Sequence, residues 1–147
     1  MATFERHVDV DWKGSVTEGK GEAKAGTGAF SLPVSFPSRI GDPGGKTSPE
    51  ELMAAAHAAC YAMAFSHALA EAGHAPERLS VDAACQLDPV AGGGVAISRI
   101  DLSVRGRVPG LDQAEFEQLA ADGERGCPVS NALRGNVEIG LAVTLET

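Results

Sequence analysis

Ser48-Pro49-Glu50-Glu51-Leu52-Met53-Ala54-Ala55-Ala56-His57-Ala58-Ala59-Cys60-Tyr61-Ala62-Met63-Ala64-Phe65-Ser66 begins a long apolar helical stretch. Its opening carries a helix-start signature: Ser48 as N-cap, Pro49 at the first helical position and Glu51 at capping-box spacing. The helix is expected to run to about Ala72 and to end at Gly73. Its alanine-rich centre permits close approach of other backbones, and no charge falls between Leu52 and Ser66. A helix apolar nearly all round is a buried one. In a chain of this size that fits a central helix wrapped by sheets or by a second subunit.

Working outward, the segments on either side read as strands. Val8-Asp9-Val10-Asp11-Trp12 alternates at the two-residue period of a half-buried strand, and Lys13-Gly14 and Gly26-Thr27-Gly28 are turns. Further strands are expected from Val16 to Ala25 and from Ala29 to Phe36. Residues 37–47 are a loop by composition. Beyond Pro76, Leu79, Val81, Ala83, Cys85 and Leu87 share one face of a strand. A loop at Asp88–Gly94 leads to a return strand through Ile100, Leu102, Val104, Gly106 and Val108. Leu111-Asp112 starts a helix holding Phe116 and Leu119, a short helix spans Cys127 to Leu133, and Val137 to Leu145 makes the final strand. The expected order is βββ-α-ββ-α-α-β, an α+β fold with antiparallel sheets.

At 147 residues the chain is expected to be a single domain over 1–147. Its 44% hydrophobic and 22% charged residues are globular proportions. A net charge of -8 with no basic block argues against nucleic acid and against an anionic membrane surface. The charged start, residues 1–14, lacks the apolar core of a signal peptide, and no stretch is read as membrane-spanning. A cytoplasmic protein is the resulting expectation. Three cysteines in that setting are not a disulfide framework.

The cysteines stand in unlike settings. Cys85 falls on the apolar face of its strand, where a thiol packs as a small hydrophobe. Cys60 has Ala56, His57, Met63 and Ala64 one turn away, leaving room above the sulfur, although a thiol in an apolar helix can equally be inert. Cys127 opens Cys127-Pro128-Val129-Ser130 at the start of a helix, where the unpaired N–H groups favour a thiolate and Ser, Thr, Asp or Asn would cap better. A nucleophile and its resolving partner is one reading of that pair. His57 admits a Cys–His nucleophilic pair, a metal ligand or a packed, hydrogen-bonded ring. No acidic or amide residue at helical spacing orients it, and further ligands at standard spacing are missing. His7, His67 and His74 have no motif around them. Glu50 lies ten residues before Cys60, about 15 Å along the axis and on another face. It therefore serves the same site only across a subunit interface, or with Arg39 extending its reach.

Four stretches together resemble the OsmC/Ohr family of osmotically inducible and organic-hydroperoxide-resistance thiol peroxidases. They are Ser38-Arg39 before a glycine-rich loop, Thr47-Ser48-Pro49-Glu50-Glu51-Leu52, Ala55-Ala56-His57-Ala58-Ala59-Cys60 and Cys127-Pro128-Val129-Ser130. His57-Ala58-Ala59-Cys60 and Arg39 resemble the OsmC branch more than the Ohr branch, while Ile40 stands where the family pattern has an aromatic. The resemblance implies an intertwined homodimer with two central helices and active sites at the subunit boundary. It implies that Arg39 lowers the Cys60 pKa and orients the peroxide, with Glu50 holding the guanidinium as a bidentate pair. Cys60 would attack an organic hydroperoxide, releasing an alcohol and leaving a sulfenic acid. Cys127 would condense with it to a disulfide, which an external dithiol, lipoyl- or thioredoxin-like, reduces. Neither a metal nor an organic cofactor is needed. Three rival readings are a thiol redox switch or binding protein without turnover, an acyl-transfer enzyme built on Cys60 and His57, and a structural dimer with inert thiols.

Overall fold

The computed structural model describes residues 3–146. Ten elements follow one another: β1 (Val8–Lys13), β2 (Lys20–Ala25), β3 (Ser31–Val34), α1 (Pro37–Ile40), α2 (Pro49–Glu71), β4 (Arg78–Pro89), β5 (Val95–Arg107), α3 (Gln113–Gly126), α4 (Pro128–Leu133) and β6 (Glu138–Leu145). They form a mixed α+β fold with two three-stranded sheets, in the expected order apart from α1. The chain separates into two compact units, one ending at Leu52 and the other starting at Met53.

The first unit holds the antiparallel meander β1-β2-β3. Val8 lies opposite Ala25 and Lys13 opposite Lys20, so the short 14–19 turn sets the register. The stretch expected as loop at 37–47 contains one helical turn, α1, entered at Pro37. Pro pre-sets φ for a first turn, which accounts for a helix in a segment that reads as loop by composition. The apolar members of β1 are exposed, Val8 and Val10 at 56% and Trp12 at 40%.

α2 starts and stops as its ends dictate. The Glu51 N–H donates to Ser48 Oγ at 3.2 Å, so Ser48 is the N-cap. The Glu51 carboxylate does not close the capping box on Ser48; it accepts from the Thr47 hydroxyl at 2.6 Å. At the other end Gly73 takes φ +86°, and the His74 N–H reaches back to the Leu69 carbonyl at 2.8 Å. That left-handed closure favours glycine.

In the second unit α2 buries one stripe, His57, Tyr61, Phe65 and Leu69, each fully enclosed. These residues are four apart, the spacing that keeps side chains on one helical face. Tyr61, Phe65 and Leu69 join Ile100, Leu102 and Val104 of β5 and Phe116 and Ala120 of α3 in one core. Each large side chain buried there contributes about 1.5–3 kcal/mol. Phe65 stacks 5.1 Å from Phe116 between ring centres, and the Tyr61 hydroxyl donates to the Ala120 carbonyl at 3.0 Å. The rest of α2 is not enclosed: Ala55, Ala56, Ala59 and Met63 are exposed, Met63 at 72%.

Two expectations are corrected. The sheets are not all antiparallel: β4 and β5 pair antiparallel, but β5 and β6 run parallel, with Ile100 opposite Ile139 and Val104 opposite Val143. α3 and α4 intervene between those strands and carry the chain back to the starting end, as a parallel crossover requires. The second correction concerns length and composition. α2 has 23 residues and a mean hydropathy of 1.3 over its most apolar window, enough to cross a membrane by those measures. The alanines supply most of that value, and Tyr61, Phe65 and Leu69 of the helix sit in the core of the second unit.

Candidate active site

In the first unit α1 places Arg39 and the first turn of α2 places Glu50. Arg39 Nε donates to Glu50 Oε1 at 2.8 Å, and Nη2 makes an ion-pair contact with the same oxygen at 2.7 Å. The pair thus uses one carboxylate oxygen and is not the two-oxygen fork expected from the resemblance. Glu50 Oε2 is buried and finds no partner among the described residues. The Nε bond is charge-assisted and so stronger than a neutral one, and the Nη2 contact to the same oxygen adds to the hold on the guanidinium.

α1 itself is anchored by Ser38, which is buried. Its hydroxyl lies 2.7 Å from the Ser35 carbonyl and 2.9 Å from the Thr47 carbonyl, while the Ser38 N–H donates to Ser35 Oγ at 3.2 Å. These bonds tie the turn that presents Arg39 to the segment leading into α2. Beside Arg39 is a pocket of about 350 Å³, lined by Val10, Trp12, Val34, Phe36 and Leu52 among others. Its wall is apolar except for Ser35 and the guanidinium. Sequence reasoning singled out Arg39 but not this pocket, whose lining comes from several strands. Ile40 is 62% exposed.

The second unit holds the cysteines. Cys60 lies on α2 and is partly buried; Cys127 is fully buried. Cys127 ends α3 and caps α4, so the expected helix-start position is the observed one, with Pro128 in the first turn. The Cys60 and Cys127 thiols lie near enough to influence each other, and the Val129 N–H lies near the Cys60 sulfur. The structure therefore brings together two thiols that are remote in sequence. Burial pushes the Cys60 pKa above its ordinary 9.0; the Val129 N–H acts in the opposite sense, and the neighbouring Cys127 adds to the rise. Burial does this because it disfavours the charged thiolate.

His57 pairs with a hydroxyl group. Its Nε2 is 2.7 Å from Ser130 Oγ, and both residues are fully buried. Nδ1 has no partner among the described residues. Desolvation lowers the His57 pKa from 6.5, against an opposing pull from Glu124. Of the open readings for this histidine, the packed and hydrogen-bonded ring is the observed one. Ser130 as its partner was missed: the sequence quotes both residues in its motifs but gives no sign that they meet. Among the described residues, no three His, Cys, Asp or Glu side chains are grouped to hold a metal. Cys85 sits on β4, partly buried against the core, as its strand face suggested.

Residues 41–142 match the family described as OsmC-like protein. The chain is 37% identical over 139 residues to peroxiredoxin OsmC of Escherichia coli (strain K12), spanning 93% of this chain and 95% of that protein. It is 33% identical over 127 residues to the organic hydroperoxide resistance protein of Xanthomonas axonopodis pv. citri (strain 306), spanning 84% and 86%. Among solved structures, an organic hydroperoxide resistance protein OsmC from Legionella pneumophila superposes with a TM-score of 0.76 at 29% identity, covering 98% of this chain and 99% of that one. The organic hydroperoxide resistance protein OhrB of Bacillus subtilis has the same fold, with a TM-score of 0.72 at 24% identity over 94% and 98% of the two chains. On the family match and these identities, the chain belongs to the OsmC-like family.

Proposed function

We propose that this protein is a cysteine-based peroxidase that reduces organic hydroperoxides to alcohols. The observation that carries the reading is the neighbouring pair of thiols, Cys60 partly accessible and Cys127 enclosed at a helix start. The Cys60 thiolate attacks the outer oxygen of R–O–OH. The O–O bond breaks, an alkoxide leaves and takes up a proton as the alcohol, and Cys60 carries the sulfenic acid. Cys127 then attacks the Cys60 sulfur; the S–O bond breaks and hydroxide leaves as water with the thiol proton. An external dithiol, lipoyl- or thioredoxin-like, restores both thiols by exchange.

A buried thiol with a raised pKa needs a cation to supply thiolate at neutral pH. In this reading Arg39 is that cation, held by Glu50, and it also orients the peroxide. The apolar pocket at Arg39 takes the alkyl group, which favours organic hydroperoxides over hydrogen peroxide by burying hydrocarbon. The reading requires Arg39 to face Cys60 in the working protein. A homodimer built on the uncovered alanine face of α2, with residues 1–147 acting as one domain, is the assembly proposed to achieve this. The cytoplasm, where dithiol reductants are maintained, is the proposed location.

Support for this chemistry comes from relatives named as a peroxiredoxin and as organic hydroperoxide resistance proteins. The test is consumption of cumene hydroperoxide by the purified protein with excess dithiol. Many turnovers per thiol are expected, and more slowly with hydrogen peroxide; a single stoichiometric oxidation without turnover would favour the redox-switch reading instead.

A further inference from the structure

The elements that hold the two thiols together are α2 and the first turn of α4. One side-chain hydrogen bond joins them: Ser130 pairs with His57, one helical turn before Cys60, and Val129, the residue before Ser130, brings its N–H near the Cys60 sulfur. The His57–Ser130 bond is short at 2.7 Å and wholly enclosed, so no water competes for either group. Burial and the lowered pKa keep the ring neutral, and neither thiol uses it. α4 has only six residues, and Cys127 makes no side-chain cap bond at its start. The Cys127 N–H donates to the Glu124 carbonyl at 3.2 Å and Asn131 Nδ2 to the Arg125 carbonyl at 3.0 Å, so these contacts tie the turn to α3, whereas the His57–Ser130 bond ties it to α2.

The geometry points to His57 and Ser130 as a positioning pair that pins the Cys127–Ser130 turn to α2 so that Cys127 can close the disulfide on Cys60. This rests on the peroxidase reading for its first step only. Closure itself needs two sulfurs: the Cys127 thiolate attacks Cys60 Sγ and expels whatever group that sulfur carries. When that group is hydroxyl, hydroxide leaves and becomes water with the proton that the Cys127 thiol gave up; when it is a glutathionyl sulfur, glutathione thiolate leaves.

The experiment measures closure apart from oxidation. After a single addition of cumene hydroperoxide in the presence of dimedone, mass spectrometry gives the ratio of trapped Cys60 sulfenic acid to Cys60–Cys127 disulfide. That ratio does not depend on how fast Cys60 was oxidised. Ser130→Ala and His57→Leu are expected to raise it by about fivefold to tenfold, the effect of losing a hydrogen bond of about 1–1.5 kcal/mol. Ser130→Thr keeps the hydroxyl, and His57→Gln keeps a polar group near the Nε2 position; both are expected to restore the ratio toward wild type. A merely structural role would follow thermal stability and not this partition. Ratios in Ser130→Ala and His57→Leu equal to wild type would overturn the inference, and so would ratios in the two conservative variants no better than in the disruptive ones. Closure is measured in parallel from the Cys60–glutathione mixed disulfide, with no peroxide present. If hydroperoxide leaves the thiols unoxidised, the peroxidase reading fails while this second arm still decides the positioning role: slowed closure in the disruptive variants supports it and unchanged closure refutes it.

Discussion

Glu50 meets Arg39 through a single oxygen, by one hydrogen bond and one ion-pair contact, and its other oxygen is buried without a partner among the described residues, so the guanidinium depends on that one carboxylate. Glu50→Gln removes the charge and keeps the shape. A charge-assisted hydrogen bond is worth about 1.5–3 kcal/mol, so kcat/KM for cumene hydroperoxide is expected to fall by about tenfold or more. Steady-state kinetics would show this, and an unchanged kcat/KM would remove Glu50 from the site. Cys60 gives a second residue-scale prediction. Its thiol is pushed upward by burial and by Cys127, and the proposed mechanism asks Arg39 to act in the other direction. The pH profile of Cys60 alkylation by iodoacetamide is expected to move to higher pH in Arg39→Gln. A profile that stays in place would mean Arg39 does not act on that sulfur. His57 gives the third. Its folded pKa lies below 6.5, so between the two values the unfolded chain binds a proton that the folded chain does not. Stability is therefore full above about pH 6.5, declines as pH falls toward the folded pKa, and then levels off. Denaturant unfolding across pH 4–8 is expected to show part of that decline vanish in His57→Gln.

At the scale of elements, the packing of α3 on α2 leaves no room at Gly123. A Cβ there would lie 2.8 Å from Phe65 Cα, and backbone cannot swing aside as a side-chain tip can. Gly123→Ala is expected to destabilise the protein by about 1–3 kcal/mol, measured by denaturant titration, despite alanine's better helix propensity. The helix ends were legible because capping is local: Ser48 and Asp112 sit within three residues of the N–H groups they satisfy. The strand faces of β4 and β5 were legible for a similar reason, since alternation shows directly which side is buried. Alternation has no direction, however, so it could not tell that β6 runs parallel to β5. α1 was hidden because one turn is too short to show a helical period. Of the candidate site residues, Cys60, Cys127, Arg39 and Glu50 stood out by residue type and setting. The His57–Ser130 bond did not, because a long-range polar contact leaves no periodic trace in either segment.

For the molecule as a whole, the uncovered alanine face of α2 and the exposed apolar residues of β1 are surface that a lone chain would leave in water. The proposed homodimer covers α2, and a charge placed there should prevent it. Met63→Lys is expected to sediment as a monomer and to lose most peroxidase activity; a dimer with full activity would place the interface elsewhere. The central claim, that Cys60 and Cys127 are a peroxide-oxidised nucleophile and its resolving thiol, has a direct test in mass spectrometry after one equivalent of cumene hydroperoxide. The account predicts an intramolecular Cys60–Cys127 disulfide with Cys85 still reduced, and a sulfenic acid retained on Cys60 in Cys127→Ser. Unmodified Cys60 and Cys127, or oxidation that spares Cys60, would contradict it.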